Sequence, residues 1–316
     1  ITKDLKEDYV SELLKRSGPF PNLKVIWDCG NGATGEIVSK VVKKIPGKHK
    51  VLFGEIDGNF PNHHPDPTIE KNLIYLKNYL KTEKADLGIS FDGDGDRIGI
   101  VSKHGNLISG DLLTSFLSGS ILKKRRKQTI ILDVKSSERA VQSIEAQNGL
   151  AVISKTGHSL MKEKIKELNA PLAGEMSGHI FFKSNYGFDD GLYAAVQLIK
   201  ILSNSNKKLS EHVDNIPKVF NTPEIRIDCE DDKKFILINN ISKSQKKLNK
   251  KIVDIDGLRV QSEDGWWLLR ASNTQPCIVL RCESISQVGL KNQLLKVKEA
   301  VKEFDTKISQ KIVVEN

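Results

Sequence analysis

The chain has 316 residues, of which 49 are lysine or arginine and 40 are aspartate or glutamate, so its formal net charge is +9. This length predicts two or three domains, and a hydrophobic share of 38% is enough for packed cores. The sequence has no apolar stretch of roughly 18–20 residues, which a membrane-spanning helix needs. We therefore expect a globular, cytoplasmic protein without a membrane segment.

The positive charge does not predict a nucleic-acid-binding protein, because the basic residues are scattered along the chain. The densest basic run, residues 123–127, follows an apolar helical pattern and is typical of a solvated helix C-terminus. The four cysteines form no CxxC pair and no zinc-binding spacing, which indicates core thiols of a cytosolic protein. We expect a monomer with neither a nucleic-acid nor a membrane partner.

The first third of the chain alternates between short apolar runs and amphipathic stretches. The predicted elements are strand 24–28, helix 33–44, strand 51–53, helix 69–80 and strand 87–91. This βαβαβ order predicts a largely parallel sheet covered by helices, in an α/β domain over residues 1–106.

The middle third repeats this rhythm and predicts a second α/β domain over residues 107–218. Its predicted elements are helix 111–123, strand 129–134, helix 137–146, strand 150–154, helix 159–168 and helix 191–202. The sequence therefore predicts two tandem α/β/α domains with largely parallel mixed sheets.

The last third, residues 219–316, has several short strand patterns between helical ones. The predicted elements are strand 219–229, helix 232–248, strands 258–262, 266–270 and 278–282, and helix 287–304. This order predicts a smaller α+β domain, with an antiparallel sheet flanked by helices.

The segment Phe-Asp-Gly-Asp-Gly-Asp-Arg carries the strongest local signal. Asp92, Asp94 and Asp96 follow an apolar strand and would repel one another without a cation. Ligands that offer only oxygen favour a hard ion such as Mg²⁺. An EF-hand is excluded, because its required glycine would be Arg97 and its closing glutamate would be Lys103. An arginine beside a metal-binding carboxylate cluster suits a phosphoryl group, whose oxygens both cations can neutralise.

Two further loops carry polar groups. Glu175, Ser177 and His179 stand between glycines and can bond to sugar hydroxyls, whereas a serine-hydrolase elbow is excluded because a strand follows the loop. Between two later strands, Arg270 supplies a guanidinium fork and is followed by two hydroxyls and an amide. This second loop is a candidate phosphate cradle, and an ordinary polar turn remains its alternative.

Together the three loops resemble those of the α-D-phosphohexomutases, specifically the bacterial phosphomannomutase/phosphoglucomutase branch. Other matching segments, in the expected order, start at Cys29 (Cys-Gly-Asn-Gly-Ala), Asn59 (Asn-Phe-Pro-Asn-His-His-Pro-Asp-Pro), Thr156 (Thr-Gly-His-Ser) and Gly187 (Gly-Phe-Asp-Asp-Gly). The resemblance spans nearly the whole chain. Met176, where the glucosamine branch has glutamine, argues against that branch.

The resemblance implies reversible transfer of phosphate between O1 and O6 of glucose or mannose, through a phosphoserine enzyme and a hexose 1,6-bisphosphate intermediate. It implies Mg²⁺ as cofactor, the bisphosphate as activator and a hexose phosphate as substrate. The implied metal ligands are Asp92, Asp94 and Asp96. The implied catalytic residues are Arg97, Lys135 and His158. The implied substrate-binding residues are Glu175, Ser177, His179, Arg270, Ser272, Asn273 and Thr274.

Four positions have structural alternatives. Lys135 can cap a helix, and His158 can be satisfied within its own loop. His63 and His64 suggest a metal pair, but two adjacent histidines rarely face one ion. We therefore interpret their proline-flanked segment as a structural loop.

The resemblance also implies a first domain, which in this family carries the phosphorylated serine in a Thr-Ala-Ser-His-Asn-Pro-like segment. These 316 residues contain no such segment. We therefore expect a truncated chain, inactive alone, whose partner is the missing N-terminal domain of the same polypeptide. The alternative is a non-catalytic sugar-phosphate-binding or regulatory fragment.

Overall fold

The computed structural model describes residues 4–203, 209, 211, 217–248 and 251–314. The chain divides into two compact units, and the division falls before Pro217. Unit 1 precedes this point and unit 2 follows it, except that residues 154–156 group with unit 2.

Unit 1 begins with a five-stranded sheet in the order β2-β1-β3-β4-β5. Its strands are β1 (Leu23–Asp28), β2 (Gly47–Leu52), β3 (Leu87–Phe91), β4 (Ile98–Ser102) and β5 (Leu107–Ile108). Its helices are α1 (Lys6–Ser17), α2 (Gly35–Val42) and α3 (Ile74–Thr82), the last preceded by a 3-10 turn at Glu70–Leu73. β1, β2 and β3 are parallel, whereas β4 and β5 run antiparallel to their neighbours.

A second sheet in unit 1 has four strands in the order β7-β6-β8-β9. They are β6 (Thr129–Asp133), β7 (Leu150–Ser154), β8 (Leu172–Gly174) and β9 (Ile180–Phe182). The helices around it are α4 (Gly110–Leu122), α5 (Glu138–Ala146), α6 (His158–Leu168) and α7 (Gly191–Ser203). β6 and β8 are parallel, and β9 is antiparallel to β8.

One hydrophobic core joins the two sheets of unit 1. It includes Trp27 and Ile89 from the first sheet, Ile130 from the second, and Leu198 from α7. Helix α7 packs against β3 and β4 of the first sheet and against β9 of the second. The domain border near residue 106 lies within unit 1 and stays a prediction.

Unit 2 contains a six-stranded antiparallel sheet in the order β10-β15-β14-β13-β12, with β11 also paired to β15. The strands are β10 (Phe220–Asn221), β11 (Ile225–Asp228), β12 (Lys251–Val253), β13 (Leu258–Ser262), β14 (Gly265–Ala271) and β15 (Cys277–Ser284). The helices are α8 (Asp231–Lys247), α9 (Gln287–Lys302) and α10 (Thr306–Gln310). Trp267 and Leu280 of the sheet share a core with Ile241 of α8 and Val297 of α9.

The predicted fold class is confirmed: parallel and mixed sheets with helices come first, and an antiparallel sheet with helices follows. The strand predicted at residues 219–229 is instead divided into β10 and β11, with Pro223 between them. Proline lacks the N–H that a continuous ladder needs there. Helix α1 and strands β4 and β5 were not predicted.

All four cysteines are buried and free, as the sequence indicated. None of the helices in the described ranges is both long enough and apolar enough to cross a membrane. The cytoplasmic location and the monomeric state stay predictions.

A buried ion pair joins the loop of residues 59–67 to the end of β1. The Nε2 atom of His63 lies 3.0 Å from Oδ1 of Asp28, and its Nδ1 atom lies 3.0 Å from the carbonyl oxygen of His64. Both partners are acceptors, so each ring nitrogen must carry a proton. The hydrogen bond to Asp28 raises the pKa of His63. The structural interpretation of this loop therefore fits the contacts that His63 makes.

We predict that His63→Asn destabilises the protein most at low pH. The side chains of His63 and Asp28 are 8% and 0% exposed, and removing one partner of a buried pair costs about 3 kcal/mol. Because the folded-state pKa of His63 is raised, its contribution is fully present below the unfolded pKa and is lost as the pH rises through the folded value. Urea unfolding of the wild type and of His63→Asn, from about pH 5.5 to about pH 9, measures this difference in the free energy of unfolding.

The control is His49→Asn, because burial lowers the pKa of His49. A lowered folded-state pKa means that the unfolded chain binds the proton better, so wild-type stability relative to this variant should rise with pH. Parallel pH trends for the two variants would contradict the assignment of His63 as an imidazolium.

Candidate functional site

The three aspartates predicted as metal ligands converge in a loop at the end of β3. Potential ligand oxygens of Asp92, Asp94 and Asp96 all lie within 4.8 Å of one another. The buried Asp92 shapes this loop, because its Oδ1 accepts hydrogen bonds from the backbone N–H groups of Gly95 and Arg97 at 3.0 and 3.1 Å. Gly95 has φ +85°, a conformation that glycine adopts without strain. Three carboxylates in this arrangement fit a hard divalent cation.

Arg97 is held between two carboxylates. Its Nε atom donates to Oδ2 of Asp92 at 2.7 Å, and its Nη1 atom donates to Oδ1 of Asp66 at 3.3 Å. Burial nevertheless raises the pKa of Asp92 to about 6, against the opposing effect of Arg97. The ionised form of Asp92 is therefore unfavourable in its buried position even beside an arginine. A further cation at the loop would stabilise this negative charge.

The predicted sugar-binding loop connects β8 and β9. Oε1 of Glu175 accepts a hydrogen bond from the backbone N–H of Gly157 at 2.7 Å, and its Oε2 lies 2.9 Å from Nδ1 of His179. The hydroxyl of Ser177 lies 3.2 Å from the same Oε2 and 3.0 Å from the same Nδ1. The three predicted residues therefore form one hydrogen-bonded cluster, in which Glu175 is buried.

His179 links this cluster to the aspartate loop. Its Nε2 atom lies 3.3 Å from Oδ1 of Asp96, while its Nδ1 atom faces Glu175. Burial alone would lower the pKa of His179, but its hydrogen bonds to Asp96 and Glu175 outweigh burial and raise that pKa to about 9. His179 is therefore an imidazolium between two carboxylates at neutral pH.

The backbones of the two loops are also joined. Arg97 and His179 form an isolated antiparallel bridge, and the N–H of Ile98 donates to the carbonyl oxygen of Gly178 at 3.1 Å. Gly178 has φ +99°, and a Cβ at this position would overlap the carbonyl oxygen of Ile98. The contact therefore requires glycine both for its conformation and for its lack of a side chain.

Lys135 and His158, the other predicted catalytic residues, approach the same region. The buried Lys135 lies 3.8 Å from Oδ2 of Asp133, whose Oδ1 accepts a hydrogen bond from the N–H of Met176 in the sugar-binding loop. The ring of His158 lies 6.3 Å from that of His179, centroid to centroid. Unit 1 thus gathers all of its predicted site residues at one edge.

Three carboxylates at this edge were not predicted as site residues. Asp66 pairs with Arg97, Asp133 lies beside Lys135, and Nδ1 of His158 is 3.3 Å from Oδ2 of Asp189. Asp66 and Asp189 lie in segments that carried the family resemblance, but only the fold shows which cation each one faces. Asp133 had a weaker signal, as a carboxylate at the end of a predicted strand.

The predicted phosphate cradle lies in unit 2, between β14 and β15. Arg270 is already engaged, because its Nε and Nη2 atoms lie 3.1 and 3.3 Å from the two carboxylate oxygens of Asp256. The hydroxyl oxygen of Ser272 accepts hydrogen bonds from the N–H groups of Thr274 and Gln275, which shapes the turn. The turn's exposed residues include Asn273 and Thr274. Asp256, a further carboxylate that sequence reasoning missed, thus fixes the plane of the guanidinium.

The fold and these loops define a class of multidomain α/β protein in which a loop of three converging carboxylates lies beside a polar loop of Glu, Ser and His. Comparison with known families narrows this class. The phosphoglucomutase/phosphomannomutase α/β/α domain II matches residues 5–105, domain III matches residues 109–220, and the C-terminal domain matches residues 224–300. The chain belongs to the phosphoglucomutase/phosphomannomutase family, which confirms the resemblance seen in its motifs.

Individual relatives agree with this assignment. A phosphomannomutase/phosphoglucomutase from Pseudomonas syringae pv. tomato is 45% identical over 85% of this chain and 58% of its own length. The crystal structure of a family protein from Burkholderia thailandensis is 38% identical, with a TM-score of 0.87 over 95% of this chain and 64% of that one. The chain thus spans about three fifths of the length of these relatives.

A more distant structure shares the fold alone. It is the N-acetylphosphoglucosamine mutase of Aspergillus fumigatus, solved in complex with GlcNAc-6P and magnesium. Its identity to this chain is 15%, and its TM-score is 0.66 over 94% of this chain and 64% of that one.

We predict that Gly178→Ala destabilises unit 1 by about 3 kcal/mol or more, because the new Cβ overlaps the Ile98 carbonyl in an already strained conformation. Gly105→Ala is the matched control. Its φ is +83°, but a Cβ there has open space within 4 Å, so it should cost about 1 kcal/mol. Urea unfolding of the two variants tests the contact, and equal costs would mean that the two loops do not approach as described.

Proposed function

We propose that this chain forms part of a phosphohexomutase that reversibly transfers phosphate between O1 and O6 of glucose or mannose. The observation that supports the proposal most directly is a contact between two loops. Asp96 of the aspartate loop contacts His179 of the predicted sugar-binding loop. A transferring phosphoryl group and the sugar that carries it need these two kinds of site side by side. The relatives' names support the same general activity.

The residues present fit Mg²⁺ at Asp92, Asp94 and Asp96. Their oxygens converge, they offer no softer ligand, and the burial of Asp92 makes an additional positive charge favourable. The magnesium complex of the distant mutase is a further point of support. When bound, the ion would withdraw negative charge from the phosphoryl oxygens.

We assign the remaining contacts of the phosphoryl group to Arg97. Its guanidinium is fixed by Asp92 and Asp66, so it needs little further ordering to donate to a phosphoryl oxygen. Lys135 and His158 border the same edge and are assigned to proton transfer at the attacking or leaving hydroxyl. The buried Asp133 beside Lys135 keeps this ammonium group in place.

Glu175 and Ser177 are assigned to the sugar hydroxyls at positions 3 and 4. The carboxylate accepts hydrogen bonds from hydroxyls, while the serine both donates and accepts. Burial alone would raise the pKa of Glu175, but the hydrogen bond and charge of His179, the N–H of Gly157 and the charge of Lys135 together lower it. His179 thus helps to keep Glu175 ionised. Contacts at positions 3 and 4 would accept both sugars, because glucose and mannose differ at position 2.

The cradle of unit 2 is assigned to the phosphate that is not being transferred. Asp256 holds the Arg270 guanidinium in one plane, and an oriented guanidinium binds phosphate better than a mobile one. Ser272, Asn273 and Thr274 add hydroxyl, amide and backbone donors around the turn. These groups recognise a phosphate monoester by charge and by hydrogen bonds.

The reaction needs a phosphoryl carrier, for which we propose a serine outside residues 1–316. Phosphoserine would give its phosphoryl group to the sugar, and the hexose 1,6-bisphosphate would return its other phosphate after reorienting. Residues 1–316 would then bind and stabilise the substrate but depend on an N-terminal domain of the same polypeptide for turnover. The alternative, a sugar-phosphate-binding or regulatory protein, would use the same loops without a carrier.

We predict that Asp94→Asn weakens Mg²⁺ binding roughly 10- to 100-fold, the effect expected for one charge-assisted contact. Folding should be unaffected, because Asp94 is exposed. Isothermal titration calorimetry with MgCl₂ measures the affinity. The control is Asp232→Asn, an exposed carboxylate on α8, which should bind Mg²⁺ like the wild type. A folded Asp94→Asn protein with unchanged affinity would show that the ion binds elsewhere.

We predict that residues 1–316 alone bind glucose 1-phosphate weakly and show no mutase turnover. A polypeptide that also carries a serine-bearing first domain should interconvert the 1- and 6-phosphates of glucose or mannose, given a trace of the bisphosphate. A coupled assay on both polypeptides measures turnover.

Turnover by residues 1–316 alone, with contaminating enzyme excluded, would contradict the proposed carrier. Binding without turnover by the extended polypeptide would favour the regulatory alternative.

A further inference from the structure

We propose that Asp96, His158 and Asp189 form a second divalent-metal site, which takes ions such as Zn²⁺ or Co²⁺ and shares Asp96 with the three-aspartate loop. One ligand atom from each of the three residues lies within 4.8 Å of the other two. A set of two carboxylates and one imidazole differs chemically from the three-aspartate loop, because nitrogen favours borderline ions over Mg²⁺.

The spacing of two of the ligands already suits such an ion. Nδ1 of His158 and Oδ2 of Asp189 are 3.3 Å apart. Tetrahedral bonds of about 2.0–2.2 Å from zinc to nitrogen and oxygen place neighbouring ligand atoms about 3.3–3.5 Å apart. An ion could therefore bind between these two atoms with little movement, and a small rotation of Asp96 would complete a three-ligand set.

Asp189 supplies a second, independent observation. Its side chain is 5% exposed, and its buried Oδ2 atom accepts no hydrogen bond, because Nδ1 of His158, 3.3 Å away, is not aligned for one. The other oxygen, Oδ1, is paired with Lys162 at 2.6 Å. A buried carboxylate oxygen that accepts no well-aligned hydrogen bond is unfavourable, and a metal ion at this point would satisfy it.

The backbone holds the three ligands in place from separate elements. Asp96 lies in the loop after β3, His158 is the first residue of α6, and Asp189 precedes α7. The N–H of Gly191 donates to the carbonyl oxygen of Gly95 at 3.0 Å, which fastens the start of α7 to the aspartate loop. The ligands are therefore anchored before any ion arrives, which limits the ordering that binding would require.

An ion can also reach this position. A cleft of about 800 Å³ in unit 1 is lined by Asp96, Lys162 and Asp189, among others. The side chain of His158 is 57% exposed. The positive charge of Lys162 opposes the binding of a cation. A variant that lacks this charge should therefore bind the ion more tightly.

The test uses Co²⁺ in Mg²⁺-free buffer, because four- or five-coordinate Co²⁺ absorbs visible light far more strongly than octahedral Co²⁺. We expect wild-type protein to show intense bands at one equivalent, which Zn²⁺ removes by displacement. His158→Ala and Asp189→Asn should lose the bands and bind Zn²⁺ about tenfold or more weakly. Lys162→Met should show the same bands with tighter binding.

Two controls separate this site from others. Asp94→Asn should keep the bands, because Asp94 belongs only to the three-aspartate loop. The test of this second site is therefore independent of the proposed mutase function. His104→Ala removes an exposed histidine elsewhere and should also keep them. Bands that survive in folded His158→Ala, or that are absent from the wild type, would overturn the proposal.

Discussion

Negative charge concentrated at one edge of unit 1 is the constraint on which the site depends. Asp92 and Glu175 are buried there, and Asp96 is half-buried. Buried carboxylates are stable only beside cations or N–H donors, and Arg97 and His179 provide them. Each cation contacts two carboxylates, and His179 joins Glu175 of its own loop to Asp96 of the other, so separating the loops would break the contact between His179 and Asp96. The loops are therefore held together by electrostatics as well as by the fold.

Close backbone contacts make this arrangement of charges possible. Gly178 lies against the carbonyl of Ile98, and Gly191 lies against the carbonyls of Gly95 and Arg97. A side chain at Gly178 would push the two loops apart, which would weaken the contact between His179 and Asp96, and one at Gly191 would push the start of α7 away from the aspartate loop. The glycines thus determine the distances on which the charge pairing depends. This explains why the glycines and the charged residues occur in the same short segments.

The sequence predicts elements and motifs better than it predicts contacts between them. Strand β3 and the aspartate loop could be predicted because a run of apolar residues, the spacing of aspartates and their charge are local properties. The partners of the charged residues could not, since Asp66 and Arg97 are 31 positions apart and Asp133 and Met176 are 43 apart. Only the strand order brings such residues together. Likewise, the glycine-rich loop before β4 does not predict that an antiparallel strand follows it. Pro223 also divides a predicted strand into two.

Asp96 belongs to three groups of polar side chains at this edge. It bonds to His179, lies with Asp92 and Asp94 in an oxygen-only set, and lies with His158 and Asp189 in a mixed set. Two divalent ions that shared this carboxylate would lie close together and repel each other, so occupation of one set would weaken binding at the other. Ion hardness decides between them: Mg²⁺ favours the aspartates, whereas zinc-like ions gain from the imidazole. The residue that joins the aspartate loop to the loop of Glu175, Ser177 and His179 is therefore also the one through which a competing metal ion would disturb both.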